Sequence, residues 1–503
     1  MRPLILPQAM RDMEKRYFAA TGTPSIDLME RAARALADCV LRLSGFGRQV
    51  YIACGPGGNG GDGYACARLL AEAGCACTLF AAAPPATPDC IENARRAAAA
   101  GIPTLKPGSA AQAPEVWVDA LYGTGLSRAP EGDSAALIRR MNADRAAGSA
   151  VVAADIPSGL NGATGAAFEI CVTADRTLTF QFPKPGHYLA DGLDVCGEVE
   201  TADIGIPAAF FPGDMPLLMQ RRDALDSLPS KPRNANKGSN GHLLIVAGSL
   251  GMAGAAALCA GAALRSGAGL VTVACPGSVL PVVQTLIPCA MALPLPESEG
   301  AIAPEAASAL QEALTGKHAV VCGCGLSLRA APEALRTLLN SGLPTLFDAD
   351  ALNLIARGDL LDRLRPHHLI TPHPGEAARL LGRRVTDPIA DALALSSLGC
   401  QALLKGATSV VSVDGRARLS ASGCAGMAKG GSGDVLAGLT GGLMAQYAAS
   451  GVLMTGAALA ECAATASELH GLAGELAQRD KGLRGMCALD IVDALPRALS
   501  GNV

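Results

Sequence analysis

Short apolar runs, each ending in a glycine-rich or acidic loop, recur along the whole chain. Most of these loops lead into an alanine-rich stretch with the spacing of a buried helix. Apolar runs bounded by turn signals are typical of strands covered on both faces. Alternating strands and helices predict an α/β protein with parallel sheets. The runs that predict strands are 49–54, 116–119, 151–155, 243–248, 270–273, 320–322, 344–347, 369–370 and 403–404.

Helical patterns precede the first strand and fill the end of the chain. An amphipathic stretch covers 10–17, and an alanine-rich helix is predicted from Pro24 or Ser25 to about Leu43. The stretch between Asp434 and Glu461 carries no formal charge and is long enough to cross a bilayer. Polar and small residues interrupt it, so we predict two buried helices joined near 450–451 and no membrane partner. The interrupting residues are Gly438, Gly441, Gly442, Gln446, Ser450 and Gly451.

The length and the net charge of the chain limit its possible domain organisation and partners. A chain of 503 residues predicts two or more domains, and 3% aromatic residues suit close-packed α/β layers. A net charge of -4 without a long basic run argues against nucleic acid as a partner. Sequence rich in proline, aspartate and arginine follows Pro207 and continues to about Arg233, so we place a domain boundary near 220–226. The predicted domains are 1–222 and 223–503.

The 17 cysteines are spread through apolar runs, where cysteine acts as a small core residue. Two close pairs, Cys75/Cys77 and Cys322/Cys324, have C-x-C spacing, which differs from the C-x-x-C of zinc and redox sites. We therefore expect a reducing cytoplasm and no structural metal. Residues 1–15 lack the long apolar core of a signal peptide.

A glycine-rich segment at 423–433 leads directly into the apolar run that begins at Val435. Glycines let backbone N–H groups converge, and a helix N-terminus adds partial positive charge, so this segment predicts an anion site. Asp434 lies at its rim, where bound phosphate would repel a carboxylate. One interpretation is that Asp434 accepts the proton of a hydroxyl that attacks phosphorus. The alternative is a glycine turn in which Asp434 caps the helix.

Three strand ends in the N-terminal half carry polar loops. The first strand ends in the glycine loop 55–64, which contains Asn59 and Asp62, and the others end at Asp119 and Asp155. Carboxyl ends of neighbouring parallel strands share one sheet edge, where ligands bind. Asn59, Asp119, Asp155 and Ser158 could therefore converge. The alternative is that the aspartates only cap the following loops.

These three loops resemble the NAD(P)H-hydrate epimerase domain, and the match covers nearly all of 1–215. The resemblance implies a Rossmann-like three-layer fold and a K⁺ ion held by Asn59, Asp119 and Ser158. It also implies that Asp155 touches the substrate and carries out catalysis. One departure is Gly58, where the family usually has a first asparagine. By resemblance, the hydrated nucleotide binds to Gly58, Asn59, Gly60, Gly61, Asp62, Gly123, Thr124, Gly125, Leu126 and Asp155.

Strand ends in the C-terminal half also carry reactive groups. Asp348, Asp350 and Asn353 follow one predicted strand, His373 follows another between two prolines, and Lys405 closes a third. The aspartates could simply cap a helix, and His373 could be an ordinary loop histidine. Lys405 differs, because a lysine that closes a buried strand needs an anionic partner. Together with the glycine segment, the set predicts a phosphoryl-transfer cleft.

These motifs, in this order, resemble the ADP-dependent NAD(P)H-hydrate dehydratase family, which has a ribokinase-like fold. The match covers 227–500. Departures are Cys324 for a usual proline, Ser432 for a commoner threonine, and Lys429 in the approach to the glycines. By resemblance, the hydrate is lined by Ala255, Gly325, His373 and Asp434. By resemblance, ADP is held by Lys405, Gly406, Ala407, Thr408, Ser409 and Gly433.

Both resemblances imply repair of hydrated NADH and NADPH. The C-terminal domain would dehydrate one epimer with ADP, giving AMP and phosphate, with Asp434 as base and Mg²⁺ balancing phosphate charge. The N-terminal domain would interconvert the R and S epimers. We expect small-molecule partners only, and a homo-oligomer. The alternative is a kinase for a vitamin precursor fused to a nucleotide-binding sensor domain, an option that Gly58 keeps open.

Overall fold

The computed structural model describes residues 1–44, 47–109 and 112–500. The chain divides into two compact units, one of residues 3–216 and one of residues 1–2 together with 217–503. Each unit is built on a sheet with helices packed against it, so the predicted α/β fold class is confirmed.

The N-terminal unit is organised around a sheet of seven parallel strands. Its order is β4-β3-β2-β5-β6-β7-β8, so the three strands that carry the predicted loops are direct neighbours. The strands of this half are β1 (Arg2–Pro3), β2 (Gln49–Cys54), β3 (Ala76–Ala81), β4 (Thr104–Leu105), β5 (Val116–Ala120), β6 (Ala150–Ala154), β7 (Arg176–Phe180) and β8 (Glu198–Ala202).

Helices cover this sheet, and its central strands are therefore buried along almost their whole length. A core cluster on one side joins helices α1 and α2 to β2, and a second cluster surrounds Trp117. The helices are α1 (Pro7–Thr21), α2 (Ser25–Ser44), α3 (Gly58–Glu72), α4 (Pro88–Ala99), α5 (Gly132–Ala146) and α6 (Gly192–Val195).

The larger sheet has eleven strands, with β1 at one edge, and runs in the order β1-β9-β20-β19-β18-β17-β16-β15-β10-β11-β12. The strands are β9 (Leu217–Leu218), β10 (His242–Val246), β11 (Leu270–Pro276), β12 (Met291–Leu295), β13 (Glu297–Ser298), β14 (Ala301–Ile302), β15 (Ala319–Cys322), β16 (Thr345–Phe347), β17 (His368–Ile370), β18 (Gln401–Leu404), β19 (Ser409–Val413) and β20 (Arg416–Ser420). Strands β13 and β14 form a separate hairpin.

The helices of the C-terminal unit pack most closely where α8 meets α15 and α16 meets α17. The uncharged stretch after Asp434 forms two helices, α15 and α16, with a break at 450–455, as predicted. The helices are α7 (Arg221–Asp226), α8 (Ala253–Arg265), α9 (Leu280–Leu286), α10 (Ala306–Ala313), α11 (Pro332–Leu339), α12 (Asp350–Arg357), α13 (Pro374–Leu381), α14 (Pro388–Ser396), α15 (Ser432–Ala449), α16 (Gly456–Lys481) and α17 (Ala488–Ser500).

The C-terminal sheet is mixed, whereas the strand pattern predicted a purely parallel one. Strands β18, β19 and β20 are antiparallel neighbours. The turn between β19 and β20 is Asp414-Gly415, and both residues have positive φ, at 48° and 76°. An Asp-Gly dipeptide favours a two-residue hairpin turn with positive φ at both residues. The prediction from apolar runs did not take this turn signal into account.

All 17 cysteines are free thiols, and most of them lie in the two cores. Over the described ranges, no helix combines the length and the apolar character that a bilayer crossing needs.

Candidate active sites

The loops after β2, β5 and β6 meet at the carboxyl edge of the N-terminal sheet. Gly123 lies between the other two loops, since a Cβ atom at that position would be 3.4 Å from Oδ1 of Asn59 and 3.5 Å from Oδ2 of Asp155. Asn59, Gly123 and Asp155 are therefore brought together. The convergence predicted from three successive strand ends is present in the structure.

Asp119 and Ser158 form a buried pair at the same edge, each with no exposed surface. Oδ1 of Asp119 accepts a hydrogen bond of 2.6 Å from the Ser158 hydroxyl, and Oδ2 accepts one of 2.7 Å from the Ser158 backbone. Burial raises the pKa of Asp119 to about 6, and these hydrogen bonds oppose the rise. All of the donors are neutral groups, so this buried carboxylate lacks a cationic partner among its hydrogen bonds.

The oxygen set predicted for K⁺ fits this arrangement. An alkali cation takes oxygen ligands, and one beside Asp119 would balance its buried charge. The Nδ2 atom of Asn59 is buried and has no partner within the described residues. A half-turn of that amide would present its oxygen in the same place. Asn59, Asp119 and Ser158 could thus hold the ion.

Asp155 has a buried partner that the sequence reasoning missed, Lys184, which is 1% exposed. The Lys184 ammonium contacts Oδ1 of Asp155, and the Thr179 hydroxyl donates to the same oxygen at 3.0 Å. Burial favours the neutral acid, but the ammonium outweighs it and lowers the pKa of Asp155. Asp155 also has a φ of 66°, a left-handed conformation that costs energy outside glycine and is found at functional sites.

His187 fixes the backbone of Asp155. Its Nδ1 accepts a hydrogen bond of 3.2 Å from the Lys184 amide, so its Nε2 carries the proton and donates to the Asp155 carbonyl at 2.9 Å. The sequence did contain one sign of this network, because Lys184 lies between two prolines just after a buried strand.

The first glycine loop is mostly helical, because α3 begins at Gly58. A Cβ atom at Gly60 would lie 1.8 Å from the Gly55 carbonyl oxygen, and one at Gly61 would lie 2.6 Å from the Met29 sulfur. Gly60 is therefore required for packing against backbone, whereas at Gly61 the close contact is with the end of the flexible Met29 side chain. Gly58 differs, since a Cβ atom there would meet nothing within 4 Å.

Helix α1 covers the Gly123 loop and adds an acid to this site. Arg11 donates a hydrogen bond of 3.2 Å to the carbonyl of Thr124. Glu14 lies one turn further along, where burial and the nearby Asp155 raise its pKa to about 7. Burial also raises the pKa of Asp62 well above its usual value, with Asp155 and Glu14 adding to the rise. Gly125 and Leu126 complete the loop, and the Leu126 amide donates to the Gly123 carbonyl.

In the C-terminal unit, Asp434 is the third residue of α15, and the residue at the N-cap position of that helix is Gly431, at a φ of 95°. No side chain caps that end, so the helix-cap interpretation of Asp434 is wrong. Burial raises the pKa of Asp434 to about 6. Asp348 and Asp350 add to the rise, whereas the Cys324 thiol and Lys405 oppose it. An acid of this kind beside an uncapped helix N-terminus suits proton transfer near neutral pH.

Lys405 has the anionic partner that its position requires, and that partner is Asp348. Their Nζ and Oδ1 atoms are 2.6 Å apart, and Asp348 is only 2% exposed. Burial disfavours the charged amine, yet Asp348 outweighs it and raises the pKa of Lys405. The glycine segment lies against this pair, because a Cβ atom at Gly433 would be 3.5 Å from Nζ of Lys405.

The neighbouring motifs join this network, and neither Asp348 nor Asp350 caps α12, whose N-cap residue is Ala349. Oδ2 of Asp350 accepts a hydrogen bond of 2.9 Å from the Ser327 amide. Ala349 lies between the two aspartates with a φ of 48°, which is unusual for alanine. His373 caps α13 through Nδ1, and its amide donates to Oε2 of Glu376 at 2.9 Å. Glu376 is 5% exposed and lies near Lys405, so it belongs to the site although the sequence reasoning did not single it out.

The remaining predicted residues fall into two places. Gly325 touches Ala255, because a Cβ atom on Gly325 would lie 2.9 Å from that of Ala255. The predicted ADP segment is the turn between β18 and β19, with Gly406 and Ala407 exposed and Thr408 and Ser409 buried. Within the described residues, no cluster of three or more acidic, histidine or cysteine side chains is arranged to hold a metal ion.

Comparison with known proteins covers both units. The family model for NAD(P)H-hydrate dehydratase matches 243–497, and the model for the YjeF-related protein N-terminus matches 25–186. A bifunctional NAD(P)H-hydrate repair enzyme from Moorella thermoacetica is 36% identical over 99% of this chain and 96% of its own length. The enzyme of that name from Escherichia coli is 35% identical over 98% and 93%.

Solved structures resemble the C-terminal part. An ADP/ATP-dependent NAD(P)H-hydrate dehydratase from Bacillus subtilis, co-crystallised with ATP and Mg²⁺, is 25% identical with a TM-score of 0.46. That alignment covers 57% of this chain and 98% of the other. The full-length identity to the curated relatives settles the family. The chain belongs to the bifunctional NAD(P)H-hydrate repair enzymes.

Proposed function

We propose that this protein returns hydrated NADH and NADPH to their active forms by two reactions. The N-terminal domain, to about residue 222, interconverts the R and S hydrates. The C-terminal domain, from about residue 223, dehydrates the S hydrate with ADP as co-substrate. The observation that carries the proposal is Asp434, a half-buried acid at the uncapped start of α15 and beside the Lys405–Asp348 pair.

The dehydration needs a phosphoryl donor because hydroxide is a poor leaving group. The ring hydroxyl attacks the terminal phosphorus of ADP, the bond to AMP breaks, and Asp434 takes the hydroxyl proton. The phosphorylated hydrate then loses phosphate from one ring carbon and a proton from the next. The double bond that forms restores the reduced nicotinamide, and the products are AMP and inorganic phosphate.

The residues around Asp434 have separate roles in the dehydration. Backbone N–H groups at the start of α15 stabilise the charge on the transferred phosphoryl group. Lys405 holds ADP phosphate while Asp348 orients its ammonium, and the turn from Gly406 to Ser409 carries the rest of the nucleotide. Ala255, Gly325 and His373 line the hydrate.

The epimerisation depends on moving protons at the hydroxylated carbon. Asp155 faces the substrate from the loop after β6, and Lys184 keeps its carboxylate ionised at neutral pH. Asn59, Gly123 and the loop to Leu126 hold the nucleotide. Glu14 supplies a further acid at the same edge, with a pKa raised to about 7, so it can carry a proton near neutral pH. Asp62 is a second acid there, and burial raises its pKa.

Two cations complete the proposal. K⁺ held by Asn59, Asp119 and Ser158 would draw the three loops together. Mg²⁺ would arrive with the ADP phosphates, since it keeps much of its water and binds substrate phosphate readily. We place the activity in the cytoplasm and expect a homo-oligomer that acts on small molecules only.

The test is to incubate the purified full-length protein with mixed hydrate epimers, with and without ADP. Recovery of reduced-nicotinamide absorbance together with one AMP per molecule repaired is expected only with ADP. A protein that phosphorylates a vitamin precursor with ATP, and leaves the hydrates unchanged, would be the kinase of the alternative interpretation.

A further inference from the structure

The carboxylate of Asp155 is bound to the rest of the protein through one of its two oxygens. Among the described residues, the hydrogen bonds to this carboxylate all end on Oδ1. The Lys184 ammonium contacts it, the Thr179 hydroxyl donates to it at 3.0 Å, and the Phe180 amide donates at 3.4 Å. The other oxygen, Oδ2, faces the loop after β5, where a Cβ atom at Gly123 would be 3.5 Å away. The two oxygens therefore have different surroundings.

Strand pairing places Thr179 beside Asp155. Strand β7 runs parallel to β6 with Leu178 opposite Ala154, and the Asp155 amide extends this pairing by donating to the Leu178 carbonyl at 2.8 Å. Side chains alternate along a strand, so Thr179 points away from Leu178, which packs in the hydrophobic core. Thr179 has no exposed surface, so its hydroxyl finds its partners inside the protein.

The direction of the Thr179 proton follows from the charge of Lys184. An ammonium group only donates, so the Thr179 hydroxyl accepts from Nζ at 2.8 Å. The single proton of that hydroxyl can then go to Oδ1 of Asp155 at 3.0 Å or to the Phe182 carbonyl at 3.3 Å. The carboxylate is both the nearer acceptor and the charged one, so it receives the hydrogen bond. Nζ, Oγ1 and Oδ1 thus form a closed ring of contacts.

The backbone of Asp155 is fixed as well as its carboxylate. His187 donates from Nε2 to the Asp155 carbonyl at 2.9 Å, and the Asp155 amide is bound to β7. Contacts on both sides of the residue therefore hold its left-handed φ of 66° in place. Because the main chain and Oδ1 are both held, the position of Oδ2 is set too.

We propose that Thr179 is a positioning residue for the epimerisation: together with Lys184 it binds Oδ1 of Asp155 and leaves Oδ2 as the oxygen that exchanges protons with the hydrate. A carboxylate without this second donor would be freer to turn about its Cβ–Cγ bond. Holding it keeps the reacting atom in one place, which favours proton transfer without adding a contact to the substrate. The inference rests on the proposed role of Asp155 in the epimerase reaction.

A purely structural role is the competing interpretation. A buried ammonium group needs hydrogen-bond partners, and Thr179 could serve only to satisfy those of Lys184. Loss of the Thr179 hydroxyl would then lower the stability of the N-terminal unit and leave the turnover of the folded protein unchanged. Kinetics of the folded protein therefore separate the two roles.

The first experiment follows epimerisation by the full-length protein without ADP, starting from purified R hydrate and separating the epimers by chromatography. Thr179→Val keeps the shape of the side chain and removes the hydroxyl. This variant should lower kcat by about 10-fold, the worth of one hydrogen bond to a charged group, and leave KM nearly unchanged. Thr179→Ser keeps the hydroxyl and should recover most of the lost kcat.

Thr177→Val is the matched control. Thr177 is also fully buried on the same face of β7, but its hydroxyl donates to the Cys196 carbonyl at 2.7 Å. Removal of this hydroxyl should leave kcat for epimerisation at the wild-type value. Equal kcat in Thr179→Val and wild type would overturn the proposal. Equal losses in Thr179→Val and either Thr177→Val or Thr179→Ser would also overturn it and leave the structural role.

Infrared spectroscopy of the substrate-free protein tests the contact without turnover. The two carboxylate stretching bands of Asp155 are identified as those lost in Asp155→Asn. A carboxylate bound through one oxygen has unequal C–O bonds, so the separation of these bands should narrow in Thr179→Val and stay the same in Thr177→Val. An unchanged separation in Thr179→Val would refute the inference even in an active epimerase. A narrowed separation in a protein that does not interconvert the hydrates would instead refute the proposed epimerase function.

Discussion

The ammonium of Lys405 lies 2.6 Å from the carboxylate of Asp348, and the start of α15 lies directly against this pair. A lysine with phosphate as its only anionic partner would be unpaired and partly buried before ADP binds. Asp348 already compensates the charge of Lys405, so the phosphate site is preorganised. ADP must then share the lysine with Asp348. The pair also acts on Asp434, since Lys405 lowers its pKa and Asp348 raises it.

Replacing Lys405 should therefore weaken ADP binding and also destabilise the C-terminal unit. Lys405→Met leaves Asp348 buried without its partner, a change that typically costs about 3–5 kcal/mol. Calorimetry should find a larger loss of affinity for ADP than for the hydrate, and denaturant unfolding should detect the stability loss. The double variant Lys405→Met/Asp348→Asn is the control: it should recover stability but not ADP affinity. Unchanged ADP affinity in the single variant would remove Lys405 from the phosphate site.

Asp434→Asn should lower kcat for dehydration by about 10²–10⁴-fold, the usual contribution of a general base. ADP binding should remain, because the backbone of α15 and Lys405 are unaltered. In the wild-type protein, burial raises the pKa of Asp434 to about 6, and this pKa sets the acidic limb of the pH–activity profile. Activity should be present above that pH and be lost as the pH falls through it. A variant that turns over near the wild-type rate would show that another group takes the proton.

Much of the framework follows from the apolar runs, because a strand covered on both faces must be hydrophobic throughout. Strand β2 has the predicted bounds, 49–54, Asp119 and Asp155 lie at the ends of β5 and β6, and Asp434 lies in the first turn of α15, as expected. The partners of these acids could not be predicted in the same way. Lys184 reaches Asp155 only because β7 places it beside β6. A contact between residues so far apart in the chain depends on tertiary packing, which no local pattern encodes.

The glycine loop after β2 illustrates a second limit. Its composition indicated a loop, yet α3 starts at Gly58 and includes most of the glycines. The reason is the close approach of α3 to neighbouring backbone, which only glycine allows at Gly60. A sequence shows that glycine is present, but not whether it makes room for a ligand or for the protein itself.

This difference between glycines predicts opposite outcomes at neighbouring positions. Gly60→Ala places a methyl group 1.8 Å from the Gly55 carbonyl oxygen, so the backbone must shift, at a cost of about 1–3 kcal/mol or more. Gly58→Ala lies in open space on the same helical turn and should change the unfolding free energy by less than about 0.5 kcal/mol. Denaturant titrations of the two variants compare them directly, and equal losses would contradict the packing described for α3.

Gly58→Asn restores the asparagine that is usual in the family, and a Cβ atom at this position would meet nothing within 4 Å. An added amide beside the nucleotide should lower KM for epimerisation by roughly 2- to 10-fold, the worth of one net hydrogen bond. The dehydratase parameters of the same protein serve as the internal control and should not change. A higher KM would indicate that the chain uses the open space at Gly58 for the substrate itself.

Two separate reactions in one chain, each with its own acid, can be distinguished in one measurement. Mixed hydrate epimers are supplied with ADP, and chromatography follows each epimer in wild type, Asp155→Asn, Asp434→Asn and an equimolar mixture of the two variants. Wild type should consume both epimers. Asp155→Asn should consume only the S hydrate and leave the R hydrate to convert at its spontaneous rate, while Asp434→Asn should dehydrate neither. The mixture should regain repair of both epimers. Consumption of both epimers by Asp155→Asn at the wild-type rate, or a mixture that repairs no more than Asp155→Asn alone, would contradict the account.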